Sequence, residues 1–222
     1  RHGSIPARTR MDFPDLVHAG SEAGERAFEI GEMVELAELN VYPVKGCGGV
    51  TLQTMEFGAR GPALDRRFMI VKPSGEFITQ RQEPRLSLLR VVWLENVLAL
   101  HTPGMPDLSI PLPEEGALPN RLEVRVWRFQ GEALLVSEMA DAWLGEWLGI
   151  PCRLVRCAPD MERSANPEWT DSTVPIGFSD AYPVLLISEA SLEALNMAMS
   201  ERDPMAAPLG MKRFRPNLVV RG

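Results

Sequence analysis

VYPVKGCGG, residues 41–49, decides how the rest of the chain is read. Val34, Leu36, Leu39 and Val41 lay down an apolar strand ahead of it, and Pro43 ends regular ladder pairing because it has no N–H to give. Gly46, Gly48 and Gly49 free the backbone to take positive φ and to approach a neighbour closely. Lys45 sits among them, the only cation between Glu38 and Arg60. A lysine on a rigid strand end, beside exposed amide N–H groups, suits a phosphate or another anion. Taken alone, the stretch reads more simply as a solvated turn lysine; the weight of the functional reading comes from similar positions further along.

Around this stretch the chain alternates in period two, or in short apolar runs broken by turn residues, from Val34 to about Val136. The pattern predicts strands over 34–41, 50–57, 68–71, 77–79, 86–93, 97–100, 122–127 and 133–136. Turns are expected at Pro73-Ser74-Gly75, Glu95-Asn96 and Gln130-Gly131. Residues 103–119 hold five of the 19 prolines and read as an excursion outside the sheet. Many short strands at this spacing argue for a small barrel or sandwich. Beyond it, Ser137 is placed to cap a helix to about Leu148, stopped by Gly149 and Pro151. A strand over 152–157 and an aperiodic loop over 160–177 follow. A strand at 184–187 then runs into Ser188 as the cap of a second helix, and the basic turn RFRPN (213–217) feeds a last strand. The fold class expected is mostly β with α, in two parts: a small barrel or sandwich over 33–136 and a part with helices beside its strands over 137–222. The chain opens on Arg1 without a methionine, so residues 1–32 are expected to be a non-native or poorly ordered leader, and the stop just after an apolar strand reads as a fragment.

Composition narrows the function. A net charge of −7 with no basic stripe argues against nucleic acid, and no apolar run approaches the ~20 residues of a membrane span. Cys47, Cys152 and Cys157 are too few and too scattered for a disulfide framework, which fits a reduced, cytoplasmic protein. His2, His18 and His101 give a histidine mechanism almost nothing to work with, and no P-loop, GxSxG, HExxH or GxGxxG is present. What recurs is arginine at loop–strand junctions: Arg66 in Asp65-Arg66-Arg67, Arg81 in TQRQEPR (79–85), Arg215 in RFRPN. Each has a plain reading, since surface ion pairs such as Asp65–Arg66 are worth little. Gathered with Lys45 at one rim, they would hold an anion with a planar polar head, because guanidinium forks suit phosphate and amide-rich heterocycles.

At these residues the sequence resembles a known family. YPVKGCGG, the DRRF turn, TQRQEPRL, SDAYPVLLISEASL and RFRPNLVV occur in this order in MOSC-domain proteins that carry the MOSC N-terminal β-barrel domain, including the mitochondrial amidoxime-reducing type. The resemblance covers about Val34 to Gly222 and implies an N-terminal β-barrel domain over 33–136 followed by an incomplete MOSC β-barrel domain with flanking helices over 137–222. It implies binding of the molybdenum cofactor (molybdopterin) and of molybdenum ion, with pyridoxal phosphate binding also recorded in the family, and reduction of small N-hydroxylated compounds with electrons from a flavin or iron–sulfur partner protein. By motif, Lys45, Gly46 and Arg66 would meet the pterin or its phosphate, Ser179 and Asp180 would sit in the cofactor pocket, and Arg215 and Asn217 would hold the pterin from the opposite rim. Arg81 joins them by charge and position alone. Ala181 offers only backbone atoms. Cys47 matches a family cysteine that is not the metal ligand; the ligating thiolate would lie beyond RFRPN, so no metal or catalytic ligand is assigned, and the chain as given is expected not to turn over. A cofactor carrier or sulfur-transfer module is the alternative, and a plain anion-binding barrel a third; the N-terminal barrel favours the reductase.

Overall fold

A computed structural model describes residues 33–113, 120–170 and 172–222. The leader expected over 1–32 and residues 114–119 of the proline-rich excursion lie outside the described residues. The described chain runs β1 (Glu35–Val41), β2 (Val44–Lys45), β3 (Val50–Leu52), β4 (Phe57–Gly58), β5 (Gly61–Pro62), β6 (Phe68–Val71), β7 (Arg90–Leu94), β8 (Val97–His101), β9 (Leu108–Pro111), β10 (Arg121–Val126), β11 (Phe129–Leu135), α1 (Glu138–Leu148), β12 (Arg153–Cys157), β13 (Leu186–Ser188), α2 (Glu189–Arg202) and β14 (Leu218–Arg221). The class is the one expected, mostly β with α. Its strands form sheets ordered β13-β14-β1-β3, β10-β11-β12-β6-β2, β7-β8-β9 and β4-β5. Among the described residues these ladders are open, and none closes into a ring.

The centre is FMIV, β6, whose four residues are all buried. A strand apolar at every position is covered on both faces, and alternation divides its side chains between two cores. Phe68 and Ile70 join Val44, Leu86, Leu98, Leu144 and Leu154 on one side. Met69 and Val71 join Val124, Val126, Val155 and Phe178 on the other. Antiparallel β12 repeats the division, with Leu154 facing one core and Val155 the other. Short β2 pairs parallel with β6, Lys45 opposite Met69, so the strand that carries Lys45 is held by the most buried strand of the fold. β1 is framed by β3 and, across most of the sequence, by β14, with a bulge between Leu36 and Glu38.

Helix signals perform as the capping chemistry requires. The Ser137 side chain accepts from the Met139 N–H, and α1 ends at Gly149 with φ 66°. Ser188 accepts from the Ser191 N–H at the start of α2. Strand ends fare less well. The expected strand over 50–57 stops at Leu52 and resumes only as the two-residue β4. Residues 77–79 give isolated bridges at Glu76 and Phe77 rather than a strand. The start of 86–93 is a 3-10 turn, Pro84–Leu88, begun by a proline whose fixed φ suits a helical first turn. Within the proline-rich excursion, β9 pairs with β8. The hairpin turn is Trp127-Arg128 and not Gln130-Gly131, since Val126 faces Phe129. Gly131 is a strand residue over which the Phe129 ring folds, so that a Cβ there would displace the ring.

Burial separates the two helices. α1 buries Ala140, Trp143, Leu144 and Leu148, whereas α2 has no buried residue. Leu154→Ala is therefore expected to cost about 2–5 kcal/mol in urea unfolding, as a fully buried leucine does, while Leu195→Ala, 40% exposed on α2, stays within about 0.5 kcal/mol. Equal losses would contradict this placement of the core.

Candidate functional site

Asp65 organises the site from beneath. It is 3% exposed, yet its carboxylate is well paired. It accepts from the Tyr42 N–H at 2.8 Å and from Arg66 Nη1 at 2.6 Å. Burial raises its pKa, opposed by the Arg66 charge and these donors. The pair weighed in the sequence as a surface turn bridge is thus an interior one.

Above it lie the two arginines, both in the left-handed region: Arg66 at φ 45° and Arg215 at φ 60°. Such backbone persists in non-glycine residues only when the surroundings over-determine it. Arg66 is held by its own N–H to the Tyr42 carbonyl, by its carbonyl to the Phe178 N–H, and by its guanidinium to Asn217 Oδ1 at 3.1 Å and the Arg215 carbonyl at 2.9 Å. Gly177 passes so near the Arg66 carbonyl that a Cβ would stand 2.8 Å from it, which only glycine permits. Both guanidiniums stack on the Tyr42 ring at 4.6 Å. Asn217, 1% exposed, spends its side chain on the Asn40 carbonyl, Arg66 and the Leu185 N–H, joining three segments rather than only its own turn.

Lys45 reaches in from β2, 7% exposed. Its Nζ donates to the Phe178 carbonyl at 2.9 Å and to Asp180 Oδ1 at 2.5 Å. Burial pushes its pKa down, and Asp180 pulls it partly back. Partial burial pulls Asp180 up, but the Lys45 charge and the Lys45 and Trp127 hydrogen bonds outweigh it and leave the carboxyl below its usual range. The Asp180 side chain is 74% exposed, so water screens the pair and its worth to stability is small. Its role is to fix Lys45.

Lys45, Gly46, Arg66, Ser179, Asp180, Arg215 and Asn217 line one cavity of about 250 Å³, walled also by Phe178, Ala181, Tyr182, Val184, Leu185 and Phe214. Arg81 is exposed and does not line it; the TQRQ turn sends Gln80 instead, whose Nε2 donates to the Gly46 carbonyl at 2.6 Å. Three cations face one partly screened carboxylate, and Arg215 Nη2 is buried with no hydrogen-bond partner. Burial, then repulsion from Arg66, lowers the Arg215 pKa. A buried donor left unsatisfied is costly, and the residue that carries it lines the cavity. A larger depression of about 700 Å³ runs along α1 between Glu138 and Arg153. It is open to solvent, holds none of the predicted residues and has no buried unpaired donor, so the smaller cavity is the stronger candidate. Among the described residues no group of histidine, cysteine and carboxylate side chains has the size a metal centre needs.

Sequence reading missed three side chains here. Arg163, 6% exposed, donates to the Gly177, Ser179 and Asp180 carbonyls and so holds the wall that carries Ser179 and Asp180. It lies in the aperiodic loop, where no pattern marks it. Tyr42 shows in the sequence only as part of YPVK, and Trp127 reads there as the end of a strand.

The model of the MOSC N-terminal beta barrel domain matches residues 33–151, and that of the MOSC domain matches 173–222. The chain is 34% identical over 199 residues to the mitochondrial amidoxime-reducing component 1 of Xenopus laevis, covering 84% of this chain and 55% of that protein. It is 32% identical to the mitochondrial amidoxime reducing component 2 of Bos taurus, covering 84% and 56%. It is also 30% identical to a molybdenum cofactor sulfurase of Oryza sativa subsp. japonica, over 85% of this chain and 24% of that one. The chain thus spans about half the length of the amphibian and bovine relatives.

Asp180→Asn removes the charge that raises the Lys45 pKa while burial, which lowers it, remains. The Lys45 midpoint, followed by NMR of the labelled side chain, is expected to move down. An unchanged or higher midpoint would show that the pair does not exist in solution.

Proposed function

This chain belongs to the MOSC family, in the branch where the MOSC N-terminal beta barrel domain precedes the MOSC domain, and from that premise we propose that its cavity holds the molybdenum cofactor by the pterin and phosphate. The observation that carries the reading is the buried, partnerless Nη2 of Arg215 beside Lys45 and Arg66. A planar, amide-rich, anionic group fits this donor set: Arg215 offers a fork, Lys45 a point charge, and Arg66 a guanidinium already tied down by Asp65 and Asn217. Tyr182, Val184, Leu185 and Phe214 supply the apolar walls that a flat ring system needs. The chemistry such a group supplies is two-electron reduction of an N–O bond, with two protons and the oxygen leaving as water.

In the complete protein we assign the chain to reduction of small N-hydroxylated compounds, with electrons delivered by a flavin or iron–sulfur partner. Support comes from the relatives named as amidoxime-reducing components. The rice sulfurase raises the alternative of a sulfur-transfer module. A persulfide carrier needs an accessible thiolate, whereas Cys47, Cys152 and Cys157 are all buried, and burial lifts the Cys47 and Cys152 thiols to about 12. These three thiols therefore do not themselves suit a persulfide carrier. Pyridoxal phosphate is the less suited occupant, because Lys45, the one lysine lining the cavity, is engaged by Asp180 and the Phe178 carbonyl. Among the described residues no helix is long and apolar enough to cross a membrane. Residence in the cytoplasm is our reading of the composition, while the amphibian and bovine relatives are named mitochondrial.

Arg215→Ala in the full-length protein is expected to lower cofactor retention about tenfold or more, the worth of one or two charge-assisted bonds. Arg215→Lys should lose much of it as well, since a point charge cannot reproduce a fork. Exposed Arg128 serves as control, and Arg128→Ala should be near neutral. The cofactor-free fold of Arg215→Ala should lose no more than about 1–2 kcal/mol, the scale of its stacking on Tyr42, because Nη2 has no bond to forfeit. Molybdenum and pterin content of the purified variants decide the matter. Normal content in Arg215→Ala, or an equal loss in Arg128→Ala, would refute the site.

A further inference from the structure

Trp127 occupies the two-residue turn between β10 and β11 with φ 56°, a left-handed conformation that bulky side chains avoid. Turn chemistry would favour glycine or asparagine there. The indole is nevertheless well fixed. Its Nε1 donates to Asp180 Oδ1 at 2.8 Å, the same oxygen that Lys45 engages. The Phe77 ring meets it edge-on, with centroids 4.9 Å apart. Lys45 Nζ lies 6.0 Å from its centroid. Trp127 is still 53% exposed, and it stands outside the residues that line the cavity.

A strained backbone, an edge anchored through its only polar atom and about half the side chain open to water do not describe a core residue. They describe a rigid platform beside a cavity mouth. We propose that Trp127 is a specificity-determining residue whose uncovered indole face stacks on a planar, conjugated part of the incoming substrate. Such stacking favours an aromatic compound over a saturated one of equal size, because a ring quadrupole rewards flat partners beyond the area they bury. Asp180 sets the angle of the platform, and through Lys45 that angle is tied to the cavity. This inference rests on the reading of the cavity as the cofactor and substrate site.

The test uses the cofactor-loaded, full-length protein and two probes, benzamidoxime and its saturated cyclohexyl analogue. Binding is read by calorimetry and turnover by steady-state kinetics. Wild type should bind benzamidoxime more tightly than the analogue. Trp127→Leu should weaken benzamidoxime about three- to tenfold, leave the cyclohexyl compound within about twofold and keep the cofactor content normal. Trp127→Phe, which retains a flat ring but loses the N–H, should keep most of the preference. Equal losses for both probes, no loss for either, or a fall in cofactor content in Trp127→Leu would overturn the platform and leave Trp127 as a prop for Asp180. A Trp127-dependent preference in binding, with neither probe reduced, would uphold the platform and refute the reductase reading.

Discussion

The site depends on one buried carboxylate. Asp65 gathers the Tyr42 amide and the Arg66 guanidinium, and Arg66 in turn holds Asn217, which joins the end of β1, the turn before β6 and the turn before β14. Breaking a buried charge pair costs about 3–5 kcal/mol because the other charge is left stranded. Arg66 is therefore locked before any ligand arrives. A preorganised guanidinium gives up less entropy when it binds, so the interior pair converts folding energy into readiness at the cavity.

Against that order stands a deliberate imbalance. Arg66 has its counter-ion and Lys45 has Asp180, but Arg215 is pressed against Tyr42 with one nitrogen unsatisfied and a like charge close by. The fold tolerates this because Tyr42, the β1–β14 ladder and Asn217 hold the Arg215 turn from several sides. Sites of unfavourable local energy held by a satisfied surround are where binding is commonly lodged.

How legible this was follows from what each residue signals. FMIV, the Ser137 and Ser188 caps and the Gly149 stop state their structure locally, and the chain folds as they say. The seven residues that the family motifs name line one cavity, whereas Arg81, named by charge and position alone, does not. Arg81 fails for a geometric reason: in a turn, adjacent residues face different ways, and Gln80 takes the inward position. Arg163 was unreadable because its value lies in three carbonyls of a loop that has no period. Asp65 was underrated because an adjacent Asp–Arg pair looks the same in sequence whether buried or wet. Glycine at 131 advertises a bend, whereas it lies within β11 beneath the ring of Phe129 and the turn falls at Trp127-Arg128.

The pairing of β1 with β14 joins Glu35 to Arg221, and the Lys45–Asp180 and Arg66–Asn217 contacts bridge 135 and 151 residues. Contacts of such long range are slow to form, since loop closure must precede any gain from them. The cavity is thus among the last parts of the molecule to exist. A nascent chain emerging from the ribosome can assemble the β7–β8–β9 meander and the β10–β11 hairpin early, but it has no ligand site until Asn217 has been made. A ligand that needs Lys45, Arg66 and Arg215 together meets a chain in which these long-range pairings have already formed.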